Sequence, residues 1–205
     1  MNLRRVLVIL LSLVLFSHAA SAQMVKATFG VTGGGIATMM RGTQPATSAP
    51  AYINGYGGAF ATVNYSNLMG VRVGLNYAMQ GADYDLSEVS IATSQSYINI
   101  PATFLYHLKS YVSLEAGFYQ NILLSSSMTE SGAHDVVISP DDGALKYNFG
   151  VLAGLTVNVG RFVFLSLRYN LGLSNSYIIY GTGYPSSFAT VGLGFNIFST
   201  RKTAF

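Results

Sequence analysis

The stretch KYNFGVLAGLTVNVGRFVFLSLRYNLGL, residues 146–173, decides the fold class. Apolar residues alternate with small or polar ones on both sides of the dipeptide Gly160-Arg161. In the second half, one set of alternating positions holds Val163, Leu165, Leu167 and Tyr169, and the other holds Phe164, Ser166, Arg168 and Asn170. A period of two predicts a β-strand, and two such segments around a short polar break predict an antiparallel hairpin. What remains to be decided is which solvent each face of this hairpin meets.

The composition argues against an ordinary water-soluble domain. Only 9% of the 205 residues are charged, against about 25% in an ordinary soluble domain. Hydrophobic residues make up 50% of the chain, which excludes intrinsic disorder. The chain has no cysteine, so disulfides, cysteine-based zinc sites and thiol nucleophiles are excluded. No basic cluster in the sequence favours nucleic acid as a partner.

Residues 1–22 have the organisation of a secretory signal peptide. The basic head MNLRR precedes the apolar run VLVILLSLVLF, and Ala20-Ser21-Ala22 fits the A-x-A cleavage pattern. An uncleaved membrane anchor is the alternative, but the apolar run falls short of the roughly 20 residues that a spanning helix needs. We therefore expect an exported chain whose single mature domain covers residues 23–205.

The mature chain contains eight segments with period-two character. They cover approximately residues 25–39, 55–65, 70–81, 95–107, 111–124, 146–159, 162–172 and 187–198. Short connections at 66–69, 108–110 and 160–161 alternate with long polar connections at 40–54, 82–94, 125–145 and 173–186. This alternation is typical of membrane barrels, which have short periplasmic turns and longer extracellular loops. The sequence therefore predicts an all-β fold, an eight-stranded antiparallel up-and-down transmembrane β-barrel.

The placement of charge supports this topology. The predicted outer loops hold seven of the eight acidic residues, namely Asp83, Asp85, Glu88, Glu130, Asp135, Asp141 and Asp142. Lys109, Arg161, Arg201 and Lys202 fall at predicted periplasmic turns or in the tail. On the strands, Val, Leu and Tyr are expected to face lipid, and Gly, Ser, Thr, Asn and Arg to face the lumen. A soluble lipocalin-like barrel is the alternative, but it predicts Lys and Glu on the polar face.

Several segments resemble a known family. YINIPATFLYHL (97–108) and the following YVSLEAGFYQNILLSS resemble the central hairpin of PorT-like, porin-family outer-membrane β-barrels of Bacteroidetes-type bacteria. DDGALKYNFGVLAGL is similar to the sixth strand of that family, LRYNLGL to the seventh and VGLGFNIF to the last. The tail, residues 199–205, departs from the family, in which chains often stop at the last strand. The resemblance implies the outer membrane of a Gram-negative bacterium, and a role in small-solute passage, surface interaction or secretion.

Four charged residues share the inward parity. Arg72, Glu115 and Arg168 are expected in the lumen, and Lys26 near its periplasmic mouth. Because an unpaired charge inside a membrane barrel is costly, we expect these residues to form a buried ion network. The network either fills the interior and fixes the strand register or lines a narrow selective path. The interiors of eight-stranded barrels are normally filled, which favours the first interpretation.

The other candidates for chemistry carry weaker signals. The pairs His134-Asp135 and Asp141-Asp142 lie in one long loop, with no second wall to hold a substrate, and match no EF-hand spacing. The run Gly33-Gly34-Gly35 matches no phosphate-binding loop and favours a bend in the first strand. Pro101 lies inside a strand and predicts either a missing ladder bond or a bulge. We therefore expect no enzymatic activity, no cofactor and no metal.

Three functions are compatible with this architecture. The first is a structural or surface-interaction protein with a filled lumen, which meets a protein partner through loops 40–54, 82–94, 125–145 and 173–186. The second is a narrow small-solute channel, and the third is an accessory component of a protein-secretion system. The expected partners are the lipid bilayer of the outer membrane and a protein at the surface or in the secretion machinery.

Overall fold

The computed structural model describes residues 26–40, 52–86, 89–131, 136–138, 146–175, 177–179 and 182–201. The expected signal peptide, residues 1–22, lies outside this set. None of the described segments is a helix that is long and apolar enough to cross a membrane.

Eight long strands form the body of the molecule. They are β1 (Lys26–Met40), β2 (Tyr52–Asn64), β3 (Met69–Leu86), β4 (Val89–Lys109), β5 (Val112–Ser131), β7 (Tyr147–Val159), β8 (Val163–Gly172) and β11 (Ser186–Arg201). Three further strands have three residues each: β6 (Val136–Ile138), β9 (Tyr177–Ile179) and β10 (Thr182–Tyr184). The short strand β6 extends the sheet beside β5, while β9 and β10 pair with each other.

The eight long strands close into a barrel. Each pairs antiparallel with its two neighbours, β4 pairs with β5, and β1 pairs with β11, which completes the ring. Closure leaves the ring of eight strands without a free edge, which a sheet in hydrocarbon requires. The predicted eight-stranded antiparallel up-and-down barrel is therefore confirmed.

Exposure alternates along the strands as the sequence pattern predicts. On β3, Val71, Val73 and Leu75 are exposed, whereas Arg72 and Asn76 are buried. The hairpin that decides the fold class behaves in the same way. Its β8 residues Leu165, Leu167 and Tyr169 are exposed, while Phe164, Ser166, Arg168 and Asn170 are buried. The exposed apolar residues form an outer surface suited to lipid, and the polar residues face the lumen.

Three adjacent strands are longer than predicted. β3, β4 and β5 have 18, 21 and 20 residues, against the roughly 9–11 that a tilted strand needs to cross a bilayer. The prediction of a long loop at 82–94 was wrong, because the β3–β4 ladder continues through Asp83↔Ala92 to Leu86↔Val89. The segment holds the charged residues Asp83, Asp85 and Glu88, which led the sequence reasoning to assign it to a polar loop.

The other predicted loops are also partly strand. Of segment 40–54, Met40 belongs to β1 and residues 52–54 to β2. Of segment 125–145, β5 takes residues 125–131 and β6 follows, while β9 and β10 lie within 173–186. The dipeptides His134-Asp135 and Asp141-Asp142 lie outside the described residues. The last strand continues to Arg201, beyond the predicted end at residue 198.

Two local predictions concern breaks in the ladder. The β3–β4 pairing passes from Val73↔Ala102 to Asn76↔Asn99 without a change of register, so the ladder skips Pro101. This agrees with a missing ladder bond and not with a bulge at the proline. In β1, the register against β11 shifts between Phe29 and Gly30, upstream of the glycine run that was predicted to bend the strand.

Candidate functional site

The lumen is crossed by an ion cluster centred on Glu115 of β5. Arg72 donates from Nη1 to Glu115 Oε1 at 2.8 Å, and Arg168 donates from Nε to Oε2 at 2.6 Å. Thr156 Oγ1 also donates to Oε1. All three charged side chains are buried. The cluster therefore ties β3, β5, β7 and β8 together across the interior, with both carboxylate oxygens engaged.

The strand register explains why these side chains meet. Glu115 lies opposite Gly154, and Gly154 lies opposite Arg168 on the next strand. A Cβ at Gly154 would lie 2.8 Å from Arg168 Cγ, so the glycine lets the arginine cross its strand toward the carboxylate. Arg72 reaches Glu115 from β3, and its Nε donates to Thr62 Oγ1 at 3.0 Å.

The Arg72 guanidinium packs against a pair of phenylalanine rings. Its Cζ lies 5.0 Å from the ring centroid of Phe60 and 4.6 Å from that of Phe164. The two rings form an edge-to-face pair with centroids 5.3 Å apart. Gly194 is paired with Phe164, and a Cβ there would collide with the Phe164 ring, so the ring depends on that glycine for its space. A desolvated cation–π contact contributes about 2 kcal/mol.

Beyond the ion cluster the lumen is packed. A buried apolar cluster fills it, with members Ile36, Ala78, Tyr119, Leu152 and Phe188. The rings of Tyr119 and Phe188 meet edge-to-face with centroids 5.2 Å apart. Two cavities of about 10 and 20 Å³ flank the arginines, and a single water needs about 10–15 Å³. Each of these two cavities therefore has room for about one water.

A row of asparagines crosses four neighbouring strands of the wall. Asn76, Asn99, Asn121 and Asn148 are paired in sequence on β3, β4, β5 and β7. Asn76 Nδ2 donates to Asn99 Oδ1 at 3.3 Å, and Asn99 Nδ2 donates to Asn121 Oδ1 at 2.6 Å. The Nδ2 atoms of Asn121 and Asn148 are buried and have no partner among the described residues. This amide ladder links the long strands from inside the lumen.

A polar vestibule of about 600 Å³ opens at the end of the barrel that carries the short turns. Its lining includes Lys26, Lys109, Arg161 and one side of Arg72, and no acidic residue of the described chain. His107 braces the wall, with Nδ1 2.7 Å from Ser113 Oγ and Nε2 3.0 Å from Asn64 Oδ1. The ion cluster forms the floor of the vestibule, since Arg72 belongs to both.

The four charged residues predicted for the lumen do not form one group. The structure brings Arg72, Glu115 and Arg168 together and leaves Lys26 apart on the wall of the vestibule. The sequence reasoning missed the two phenylalanines that pack on Arg72, although Phe164 shares the parity of Ser166 and Arg168. It also missed the amide ladder. The alternation along a strand shows which face a residue lies on, but it does not give the register that brings residues of neighbouring strands side by side.

The candidate chemistry of the outer loops finds no support in the described residues. Among these, no group of three or more His, Cys, Asp or Glu side chains is placed to hold a metal ion. The pairs containing His134 and Asp141 lie outside them, so the roles weighed for these residues stay hypotheses.

The family of this chain follows from a family-model match over most of its length. Residues 21–177 match the outer membrane protein β-barrel domain family. The chain belongs to this family. As an outer-membrane β-barrel, it has its lipid-facing band in the bilayer, its short turns toward the periplasm and its long connections toward the exterior. No curated protein matches the chain.

Solved outer-membrane barrels are similar to this chain at low sequence identity. Neisserial surface protein A has a TM-score of 0.52 and 16% identity, over 83% of this chain and 99% of that one. Ail of Yersinia pestis, solved with the heparin analogue sucrose octasulfate, has a TM-score of 0.49 and 11% identity, over 87% of this chain and 100% of that one. OprG of Pseudomonas aeruginosa has a TM-score of 0.35 and 9% identity, over 89% and 98%. At such identities the Neisserial match shows a shared fold only.

Proposed function

We propose that this outer-membrane β-barrel is a non-enzymatic protein with a closed lumen, which acts at the cell surface through its extracellular connections. The observation that carries the proposal is the plug of Glu115, Arg72, Arg168, Phe60 and Phe164 across the interior. A solute would have to break a buried ion pair to pass, which costs several kcal/mol. The surface role is therefore favoured over the narrow channel, the alternative that the sequence leaves open.

The tall wall formed by β3, β4 and β5 provides a platform for such a role. These strands exceed the length needed to cross the bilayer by about ten residues, and β6 continues the sheet at Met128↔Ile138. The extension carries Asp83 and Asp85 on β3 and Glu130 on β5. Acidic positions on a projecting sheet favour a partner with a basic surface, because complementary charge accelerates encounter and sets specificity.

The export route and the subfamily belong to the same proposal. Residues 1–22 serve as a signal peptide that is removed on export, as the cleavage pattern at Ala20-Ser21-Ala22 indicates. The resemblance of residues 97–108 to PorT-like barrels supports a Bacteroidetes-type source. It also keeps a role in protein secretion as the alternative to a surface contact.

The closed lumen is tested by single-channel recording of the folded barrel in a planar bilayer, with folding verified by the heat-dependent shift on gels. The wild-type protein is expected to be silent. Phe164→Ala removes a ring that packs on Arg72 and is expected to give conductance steps or transient openings. Stable steps from the wild-type protein would overturn the closed lumen and favour the channel.

The surface role is tested in the native bacterium by replacing residues 83–92 with a tight turn, which removes the top of the β3–β4 hairpin. The barrel is expected to remain folded in the membrane while the phenotype of the gene deletion appears. Replacing residues 177–184 with a tight turn shortens a connection on the opposite wall, and comparison of the two variants shows whether the partner contacts the β3–β4 hairpin or that connection. If the deletion strain instead retains other exported proteins in the periplasm, and the trimmed barrel still supports their export, the secretion role replaces the surface role.

A further inference from the structure

The periplasmic vestibule has a positive charge that nothing in its walls neutralises. Lys26, Lys109 and Arg161 line it, and none forms an ion pair with a described residue. The ion cluster at its floor adds to this charge, because two guanidiniums share the single carboxylate of Glu115. The other seven acidic residues of the chain lie between positions 83 and 142, at the opposite end or outside the described residues.

These cations come from separate points around the rim. Lys26 begins β1, Lys109 ends β4, and Arg161 lies in the turn between β7 and β8. Arg201 is opposite Lys26 in the β1–β11 ladder, which places a further basic residue at the same end. The basic residues therefore come from different strands and surround the mouth of the vestibule.

The shape of the vestibule strengthens the field of these charges. Arg72 and Thr156, which both hydrogen-bond to Glu115, line it where it meets the ion cluster. Walls of low dielectric around a pocket of one sign of charge focus the field and raise the local concentration of counter-ions. The lining also supplies neutral donors, among them Thr62, Ser113 and Asn158. Its volume of about 600 Å³ falls within the range of ligand pockets, about 300–1,000 Å³.

We propose that this vestibule is a binding site for a phosphate-type oxyanion presented from the periplasmic side. Such a group has several acceptor oxygens and more than one negative charge, which suits cations and N–H donors that converge from several strands. Two sources carry this chemistry: a free phosphorylated solute and the headgroup of an anionic phospholipid in the inner leaflet. Lys109 and Arg161 lie at the rim, 5.8 and 5.6 Å from the ring centroids of Tyr111 and Phe162, where either source can reach them.

The site is tested by titrating pyrophosphate into the folded barrel in a neutral detergent, observed through histidine ring signals in NMR spectra. Residues 23–205 contain only His107 and His134, so the two rings are readily distinguished. The His107 signal is expected to shift in a saturable way, and that of His134 to stay unchanged. Because a charge-assisted hydrogen bond is lost, Lys26→Gln is expected to weaken binding by about tenfold or more, and Arg161→Gln in the same direction.

Lys146→Gln is the matched control, because Lys146 lies 5.9 Å from the ring of Tyr147 at the opposite end of the barrel. It removes the same charge and is expected to leave binding unchanged. The lipid source is tested in nanodiscs of phosphatidylcholine with and without phosphatidylglycerol, where a Lys26-dependent shift of His107 identifies the headgroup. Equal weakening by Lys146→Gln, or no His107 shift with either pyrophosphate or phosphatidylglycerol, would overturn the proposal. These outcomes are independent of whether the extracellular connections bind a partner.

Discussion

Replacing Glu115 with Gln tests the physical basis of the plug. The substitution keeps the size of the side chain and removes the charge that holds Arg72 and Arg168. Arg72 keeps its bond to Thr62 and its contacts with two aromatic rings. Arg168 has Glu115 as its only side-chain hydrogen-bond partner among the described residues, so it becomes an uncompensated buried cation. Removing one partner of a buried pair costs about 3–5 kcal/mol of unfolding free energy.

The loss is measured by urea unfolding of the refolded barrel in detergent. Urea is uncharged and does not screen ion pairs, and far-ultraviolet circular dichroism suits a chain without tryptophan. The matched variant is Glu115→Gln combined with Arg168→Met, which removes the uncompensated cation and keeps much of its volume. We expect the double variant to recover part of the stability that the single variant loses.

Two results would refute this reasoning. A loss below about 1 kcal/mol for Glu115→Gln, the size of an exposed ion pair, would mean that water reaches the guanidiniums and that the lumen is open. A double variant that is no more stable than the single one would mean that the buried charge of Arg168 is not the source of the loss.

Three further substitutions test the packing of the two faces, each by the same unfolding assay. Gly194→Ala should lower the free energy of unfolding by about 1–3 kcal/mol, because the added Cβ overpacks against Phe164. Gly35→Ala is the control and should lower it little, because its Cβ would meet nothing nearer than 3.9 Å. Equal losses in the two variants would contradict the close fit at Gly194. Leu167→Arg, on the exposed face in the middle of β8, should lose about 2–4 kcal/mol, and tolerance would argue against lipid there. Asn99→Leu breaks the amide ladder and should lose about 1–3 kcal/mol, because its partners are left unsatisfied; a neutral effect would show that water satisfies them.

The two faces of the barrel could be predicted from the sequence because one physical rule governs them. In hydrocarbon every second residue must be apolar, so the alternation along β3 and β8 gave the orientation of Leu75, Arg72 and Arg168 correctly. The same rule failed above the bilayer. Residues 82–94 include Asp83, Asp85 and Glu88, and charge of this kind does not distinguish a paired strand above the bilayer from a loop.

The composition of the plug was only partly predictable. A buried charge needs a counter-charge, so the single inward acid, Glu115, was correctly expected beside the inward arginines. That Phe60 and Phe164 would pack on Arg72 depends on contacts across the lumen, which strand parity does not provide. The local signals were Gly30 and Gly194, which are paired with Phe60 and Phe164 and leave space for the two rings.

The plug and the tall wall are parts of one arrangement. Arg72, Glu115 and three members of the amide ladder belong to β3, β4 and β5, the same strands that rise above the bilayer. Beyond the bilayer these strands lose the lipid that packs against their outer face, and the described register of β2 against β3 reaches only Tyr56↔Ala78. The contacts that fix these strands must therefore lie within the membrane-spanning part of the barrel. There the ion cluster and the amide ladder join them to each other and to the opposite wall. A wide, hydrated lumen would lack these contacts. The same residues therefore close the interior and hold the extended strands in place.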